Sequence, residues 1–217
     1  MSETKLKIKI EIKSSLLLGS AEGLGAIIDT DIVFDDYGLP VFPGRRLKGL
    51  LRESAVEIKE MAGMAKLPDL AELFGEESKN DSSMIVDDLH PESYDDLKKW
   101  LEWAFSNHGS VVSRAKIKES LTELRNQTAV TDQGIVQENS LRTSRALQEG
   151  IVFEGYITLK SGDDADKKLL AFACSNLRRA GTMRNRGFGE IKCGLLNDEK
   201  DLTEKYLNEF GGQNEKN

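Results

Sequence analysis

The residues of this sequence best suited to chemistry are two carboxylates, Asp29 and Asp31, in the stretch from Ile27 to Phe34. That stretch is rich in β-branched residues, which favour extended chain. Side chains two residues apart in extended chain project from the same side, so we expect the two carboxylates to share a face. A carboxylate so placed can accept a proton or hold a divalent cation.

A basic segment follows the carboxylates. After the Pro43-Gly44 break, apolar residues recur at helical spacing, which predicts a helix from about Arg45 to Met61 or Ala62. The N-terminus of a helix attracts phosphate through its free N–H groups and its dipole. The basic residues here that we predict to bind RNA are Arg45, Arg46, Lys48 and Arg52. The juxtaposition indicates a place to grip or cut RNA; the alternative is a solvated acidic turn and a solvated helix face.

A glycine-rich loop near the C-terminal end carries a second basic cluster. Glycines let backbone N–H groups approach a phosphate, and arginines add bidentate donors. The residues of this loop that we predict to bind RNA are Arg184, Arg186, Gly187 and Gly189. The alternative is a plain turn between a helix and a strand, with solvated arginines.

Composition limits the class of protein. The chain has 217 residues, of which 39% are hydrophobic and 31% charged, as in ordinary globular domains. Its net charge of −7 excludes a wholly basic nucleic-acid binder, so any RNA contact must come from local basic stripes. Two cysteines, Cys174 and Cys193, cannot make a zinc site. No apolar run predicts a signal peptide or a membrane span, and the expected location is the cytoplasm.

The remaining patterns supply the elements that must position these residues. Strict alternation predicts a strand over Lys5–Lys13, and similar patterns predict strands at 151–159 and 191–195 with a helix at 167–180 between them. The order predicts an α+β fold with a ferredoxin-like (RRM-like) core, built from two βαβ halves with insertions.

Two further segments carry aromatic or basic side chains. The predicted helix from Ser93 to Phe105 contains Trp100 and Trp103, for which packing is favoured over base stacking, most clearly for Trp100. Thr128–Ser144 has the composition of a projecting hairpin. Arg142 near its return arm is either a surface charge or an RNA contact.

Three stretches, in order, resemble the RAMP superfamily of CRISPR-associated RNA-binding proteins. They are Val41–Arg52 (VFPGRRLKGLLR), Leu73–Gly75 (LFG) with Met84–Asp87 (MIVD) after it, and Arg184–Gly189 (RNRGFG). The resemblance covers about residues 4–195. Within the superfamily the chain is most similar to the backbone subunit of type III effector complexes.

That resemblance implies a function and a set of partners. Backbone subunits bind guide RNA, pair it with complementary target RNA, and assemble with further copies of themselves and with other CRISPR effector subunits. Their projecting hairpin, the thumb, enters the guide–target duplex. The aspartate with which the family cuts target RNA corresponds to Asp29, with Asp31 in reserve because it shares the face. Mg²⁺ or another divalent cation held by Asp29 is expected to assist attack by the ribose 2′-hydroxyl.

The predicted organisation is one RAMP domain over residues 1–197, with an insertion at about 88–124 and the thumb at about 126–146. The polar tail, 198–217, is expected to fray unless Leu202, Tyr206 and Leu207 dock a short helix. Two alternatives to the catalytic subunit stay open. One is a non-catalytic structural or capping subunit of the superfamily. The other, less favoured, is a guide-processing endonuclease, since such enzymes often use a histidine and both histidines lie away from the motifs.

Overall fold

The computed structural model describes residues 3–19, 28–62, 69–75, 82–128, 133, 137, 140–160, 162–198 and 200–214. The strands in these ranges are β1 (Thr4–Ile12), β2 (Met84–Val86), β3 (His90–Pro91), β4 (Thr122–Gln127), β5 (Arg142–Leu147), β6 (Val152–Leu159), β7 (Ile191–Asn197) and β8 (Lys200–Asp201). The helices are α1 (Gly44–Ala62), α2 (Leu70–Phe74), α3 (Tyr94–His108), α4 (Arg114–Leu121), α5 (Asp164–Asn176) and α6 (Leu202–Asn214), with a 3₁₀ turn at Arg184–Arg186. None of these helices is both long and apolar enough to cross a bilayer.

The main sheet is antiparallel, with the spatial order β2-β6-β1-β7-β8 and with β3 beside β6. β1 lies at its centre and pairs with β6 on one side and β7 on the other. The four strands β1, β2, β6 and β7 enclose α1 and α5 in the chain order of a ferredoxin-like fold. The predicted α+β, ferredoxin-like class is confirmed.

The core lies between this sheet and the two long helices α1 and α5. The apolar residues of β1 are fully buried, whereas the charged residues between them reach the other face. α1 buries Leu47, Leu51 and Ala55 in the same cluster as the apolar side of α5. The Ser54 hydroxyl donates a 2.8 Å hydrogen bond to the Ala173 carbonyl, which joins the two helices. This pairing fixes the helix that follows Pro43-Gly44 against the one that precedes the glycine-rich loop.

The segment between β2 and the hairpin contains β3, α3 and α4. α3 buries Leu101 and Ala104, so its helical phase turns the two tryptophans outward. Trp100 is 54% exposed and Trp103 is 53% exposed. The prediction that these side chains pack in the core is therefore wrong, most clearly for Trp100.

The predicted thumb hairpin has paired arms. β4 and β5 form a separate two-stranded antiparallel sheet from Thr122↔Leu147 to Gln127↔Arg142, so pairing begins closer to the core than the sequence indicated. The Leu16 N–H donates to the Leu147 carbonyl at 3.0 Å, and the Leu147 N–H returns a 2.9 Å bond. These bonds attach the root of the thumb to the chain that leaves β1. Most of the thumb's tip, between residues 129 and 139, lies outside the described residues.

The end of the chain corrects the expectation of a fraying tail. β8 pairs with β7, and α6 follows it directly. Leu202 and Tyr206 are buried, and the Tyr206 hydroxyl donates a 2.6 Å hydrogen bond to Asp164 Oδ1 at the start of α5. A docked helix, which the sequence allowed as the alternative, is the arrangement that the structure has at 202–214.

The docking of α6 predicts a measurable loss of stability on truncation of its aromatic anchor. Tyr206 is 1% exposed, so Tyr206→Ala should lower the free energy of unfolding by about 3 kcal/mol through a lost contact surface and a residual cavity. Leu207→Ala, at a 41% exposed neighbour, should change it by less than about 0.5 kcal/mol. Chemical denaturation of the two variants measures both values. Equal stability of the two variants would show that α6 does not belong to the folded domain.

Candidate nucleic-acid interface

Asp29 stands at the root of the thumb, where it is exposed and held on two sides by one residue. Its N–H donates to the Thr143 carbonyl at 2.8 Å, and its Oδ2 accepts the Thr143 N–H at 2.7 Å. A carboxylate fixed by its own backbone and by its side chain keeps one orientation while remaining accessible to solvent. Thr143 carried no sequence signal, because its contribution comes from its backbone groups.

Asp31 also faces β5 but lies in a different environment. It is 2% exposed, and its Oδ1 accepts bonds from Arg145 Nε at 3.0 Å and from the Ile32 N–H at 2.8 Å. The two carboxylates thus both contact β5, but only Asp29 is exposed enough to meet a ligand. Since Asp31 is buried and already paired, the structure does not support its predicted role as the reserve catalytic carboxylate.

The described residues contain no group of three or more histidine, cysteine or acidic side chains placed to hold a metal ion. Asp29 therefore offers one carboxylate, and Asp31 cannot add a second because it faces Arg145. Mg²⁺ is commonly held by one or two carboxylates together with phosphate oxygens and water. Asp29 is therefore the one side chain of the two that could contribute to a divalent cation, and its remaining ligands would have to come from outside this pair.

The N-terminus of α1 is already capped, which corrects the expectation of a free phosphate-binding helix end. The Gly44 N–H donates to Asp88 Oδ1 at 2.7 Å. A Cβ at position 44 would overlap the carbonyl oxygens of Val86 and Asp87, so the glycine permits a close approach of backbone to backbone. The Gly44 N–H is therefore already engaged by protein and is not available to a phosphate.

The basic residues of α1 divide among three environments. Arg45 and Arg52 are exposed, and a spacing of seven residues puts them on one face of the helix. Arg46 is half-buried. Lys48 turns inward, where its ammonium donates to Ser82 Oγ at 2.6 Å and to the Met84 carbonyl at 2.9 Å. Burial lowers the pKa of Lys48, and the nearby Lys160 adds to the effect. Lys48 was predicted to bind RNA, but its ammonium group is hydrogen-bonded to the edge strand β2 and to Ser82, which lies just before that strand.

The two glycines of the predicted phosphate loop have different roles. Both have positive φ, +81° at Gly187 and +75° at Gly189. Gly189 is buried, donates its N–H to the Ser15 carbonyl at 2.9 Å, and leaves no room for a Cβ against the Ala180 carbonyl oxygen. Gly187 is exposed, with open space where a Cβ would point. Only Gly187 is placed for backbone contact with a ligand.

The arginines of the loop lie between α1 and the thumb. Arg184 and Arg186 are both exposed, and Arg184 Nη1 lies 3.2 Å from Glu53 Oε2 on α1. From the thumb side, the Arg125 guanidinium lies 5.8 Å from the Phe188 ring centre, and Gln127 Nε2 donates to Met183 Sδ at 2.9 Å. Arg125 was missed in the sequence because nothing local indicates that β4 faces this loop.

The root of the thumb therefore brings the two predicted sites together. β5 holds the Asp29 segment, while β4 contacts the glycine-rich loop. Arg142, which is exposed on β5, immediately precedes the Thr143 that holds Asp29. The result is one surface with a fixed carboxylate and solvent-facing arginines on either side of the hairpin root.

Comparisons with known proteins agree with this architecture. The family model described as the RAMP superfamily matches residues 9–192. A chain of the Type III-B Cmr-beta complex bound to cognate target RNA has a TM-score of 0.60 and 17% identity, covering 90% of this chain and 61% of that chain. A chain of the apo Type III-B Cmr-beta complex has a TM-score of 0.63 and 13% identity, covering 90% of this chain and 98% of that chain.

The present chain thus spans about three fifths of the first of these relatives and nearly all of the second. The TM-scores establish a shared fold, and at identities this low they establish the fold alone. A search of the curated proteins found no match.

The glycine-rich loop supplies a matched pair of substitutions. Gly189→Ala adds a steric overlap with Ala180 O to the strain of positive φ, so it should lower the free energy of unfolding by more than about 2 kcal/mol. Gly187→Ala has open space and similar φ, so it should cost only the backbone strain, about 1 kcal/mol. Denaturation curves compare the two. A Gly187→Ala protein as unstable as Gly189→Ala would contradict the assigned roles.

Proposed function

The chain belongs to the RAMP superfamily, and from that premise we propose that it is a guide-RNA-binding backbone subunit of a type III CRISPR effector complex that cuts target RNA. The observation that carries the proposal is the exposed Asp29 carboxylate, held by Thr143 at the root of the thumb. A projecting hairpin beside a fixed carboxylate suits a duplex that is opened and cut at the same place. The fold shared with chains of Type III-B Cmr-beta complexes, one of them bound to cognate target RNA, supports this assignment.

Guide binding is proposed for the exposed arginines and not for every basic residue of the motifs. Arg45 and Arg52 present one face of α1, while Arg184 and Arg186 project from the loop that packs beside it. Exposed guanidinium groups can bind phosphates bidentately. Because Gly187 has no side chain, its backbone can approach the guide RNA strand closely. Together these groups would follow the sugar-phosphate backbone without reading its bases.

Target cutting is proposed as an intramolecular transfer within the RNA. The 2′-oxygen attacks the adjacent phosphorus in line, a new P–O2′ bond forms, and the bond from phosphorus to the 5′-oxygen of the next nucleotide breaks. Asp29 accepts the 2′-hydroxyl proton, and the departing 5′-oxygen takes a proton from water, giving a cyclic 2′,3′-phosphate and a 5′-hydroxyl. A divalent cation at Asp29 would supply charge neutralisation at the phosphate oxygens. The hydrogen bond from Thr143 holds the carboxylate in one orientation, and a proton acceptor fixed in advance loses less entropy on alignment with the 2′-hydroxyl.

The partners that follow from the proposal are guide RNA, complementary target RNA, other effector subunits and further copies of this chain. The net charge of −7 means that RNA contact is confined to the arginine-bearing surface. Purification from the host, followed by sequencing of co-purifying RNA, tests the assignment as a whole. Guide sequences should be recovered, and a preparation free of RNA would contradict it.

Asp29→Asn should leave assembly intact and slow target cutting by about 10²- to 10⁴-fold, because it removes the proton acceptor but keeps the shape of the side chain. The measurement is single-turnover cleavage by the reconstituted complex. Asp36→Asn is the matched control, since Asp36 is exposed in the next turn of the same chain segment. Cutting at the wild-type rate by Asp29→Asn would remove this residue from the mechanism.

Arg45→Glu and Arg186→Glu should each weaken guide binding and make the affinity less dependent on salt. Each lost phosphate contact should reduce the slope of log K against log salt by about 0.7 for a single strand. Filter binding between low and moderate salt measures the slope. Lys205→Glu on α6 makes the same change of charge at an exposed site outside both basic motifs, so its slope should equal that of the wild type. An unchanged slope in the arginine variants would place the guide elsewhere.

A further inference from the structure

We infer that the buried pair Asp31–Arg145 positions the Asp29 carboxylate, so that both residues act on RNA cutting without touching RNA. The inference rests on the proposed role of Asp29. It assigns a function to a carboxylate that the sequence grouped with the catalytic one, and to an arginine on the thumb strand.

The pair is enclosed by protein. The side chain of Asp31 is 3% exposed and that of Arg145 is 16% exposed, with Asp31 Oδ1 to Arg145 Nε at 3.0 Å. Two charges removed from water in this way hold each other strongly, because either one alone would be an uncompensated buried charge. Neither side chain is placed to bind a phosphate.

The ion pair and the contacts of Asp29 belong to the same pairing of two chain segments. The segment that contains both aspartates pairs in parallel with β5 through a bridge between Thr30 and Ser144. Asp29 meets Thr143, and Asp31 meets Arg145, two residues further along each strand. The Arg145 N–H also donates to the Thr30 carbonyl at 3.0 Å. The ion pair therefore fixes the register in which Thr143 reaches the Asp29 carboxylate, and a slip of one residue would turn Asp29 to the opposite side.

Arg145 also extends the connection to the other arm of the thumb. Its Nη1 donates to Thr122 Oγ1 at 3.2 Å, and Thr122 Oγ1 donates to the Lys118 carbonyl at 2.6 Å. Arg145 thus links the segment of Asp29 to β4 and the end of α4. Its guanidinium therefore adds a link to β4 beyond the direct hydrogen bonds between the Asp29 segment and β5.

The test uses the assembled complex and variants that preserve shape. Asp31→Asn and Arg145→Gln each leave one buried charge unpaired, and the double variant Asp31→Asn/Arg145→Gln replaces the ion pair by a neutral hydrogen-bonded pair. Each single variant should slow single-turnover cutting at saturating target by about 10²-fold, because small displacements of a reacting group cost this much. Target affinity should be unchanged. The double variant should recover at least tenfold of the loss.

Amide hydrogen exchange in the isolated chain provides a readout that requires no cutting. The amides of Asp29, Thr143 and Arg145 should exchange faster in the single variants and return towards wild-type protection in the double variant. Protection of the β1 amides, measured in the same samples, reports whether the fold itself is intact.

The outcomes separate this inference from the proposed function. Wild-type cutting by Asp31→Asn, or undisturbed exchange at Asp29 and Thr143, would overturn the positioning role. Complete loss of cutting that the double variant does not recover would overturn it too, since Asp31 would then take part in the chemistry. If Asp29→Asn cuts normally while exchange responds as expected, the proposed function fails and the structural coupling holds.

Discussion

The pairing of the Asp29 segment with the outer edge of β5 is the interaction on which the candidate site depends. A two-stranded hairpin has two open edges, and an isolated one is marginally stable in water. Here β5 is covered on its free side by Leu16 and by the chain around Thr30, while the face of β4 meets the glycine-rich loop. The thumb is thereby built into the domain at its root. The contacts of β5 join residues that are more than a hundred positions apart in the chain.

The three motifs combine residues that pack within the protein with residues that face solvent. Gly44 and Gly189 allow backbone segments to approach each other, and Lys48 satisfies the edge of β2. Gly187, Arg45 and Arg186 lie within the same short motifs and face solvent. Membership in a motif therefore does not define the role of a residue. That role has to be inferred from the burial and contacts of each residue.

The net negative charge of the chain is compatible with RNA binding because several acidic side chains are paired within the fold, while arginines are exposed on one surface. Asp31 is neutralised within the fold by Arg145, Asp88 caps a helix, and Asp164 accepts a hydrogen bond from Tyr206. Exposed arginines remain on both sides of the thumb root. The net charge of −7 opposes the approach of RNA at long range, whereas exposed guanidinium groups act over short distances.

The sequence by itself determined the main elements, because alternation in β1 and helical spacing in α1 are local periodicities. The order of such elements along the chain then predicted the ferredoxin-like core. It also identified Asp29 and the exposed arginines as candidates. It could not distinguish Asp29 from Asp31, or Arg45 from Lys48, because residues of one type on one strand or helix differ only in what packs against them. It placed Trp100 inward and the C-terminal segment outward for the same reason. Tertiary structure decided these points, since burial and pairing depend on segments distant in the chain, such as β5 against residues 28–31, and no local pattern encodes that contact.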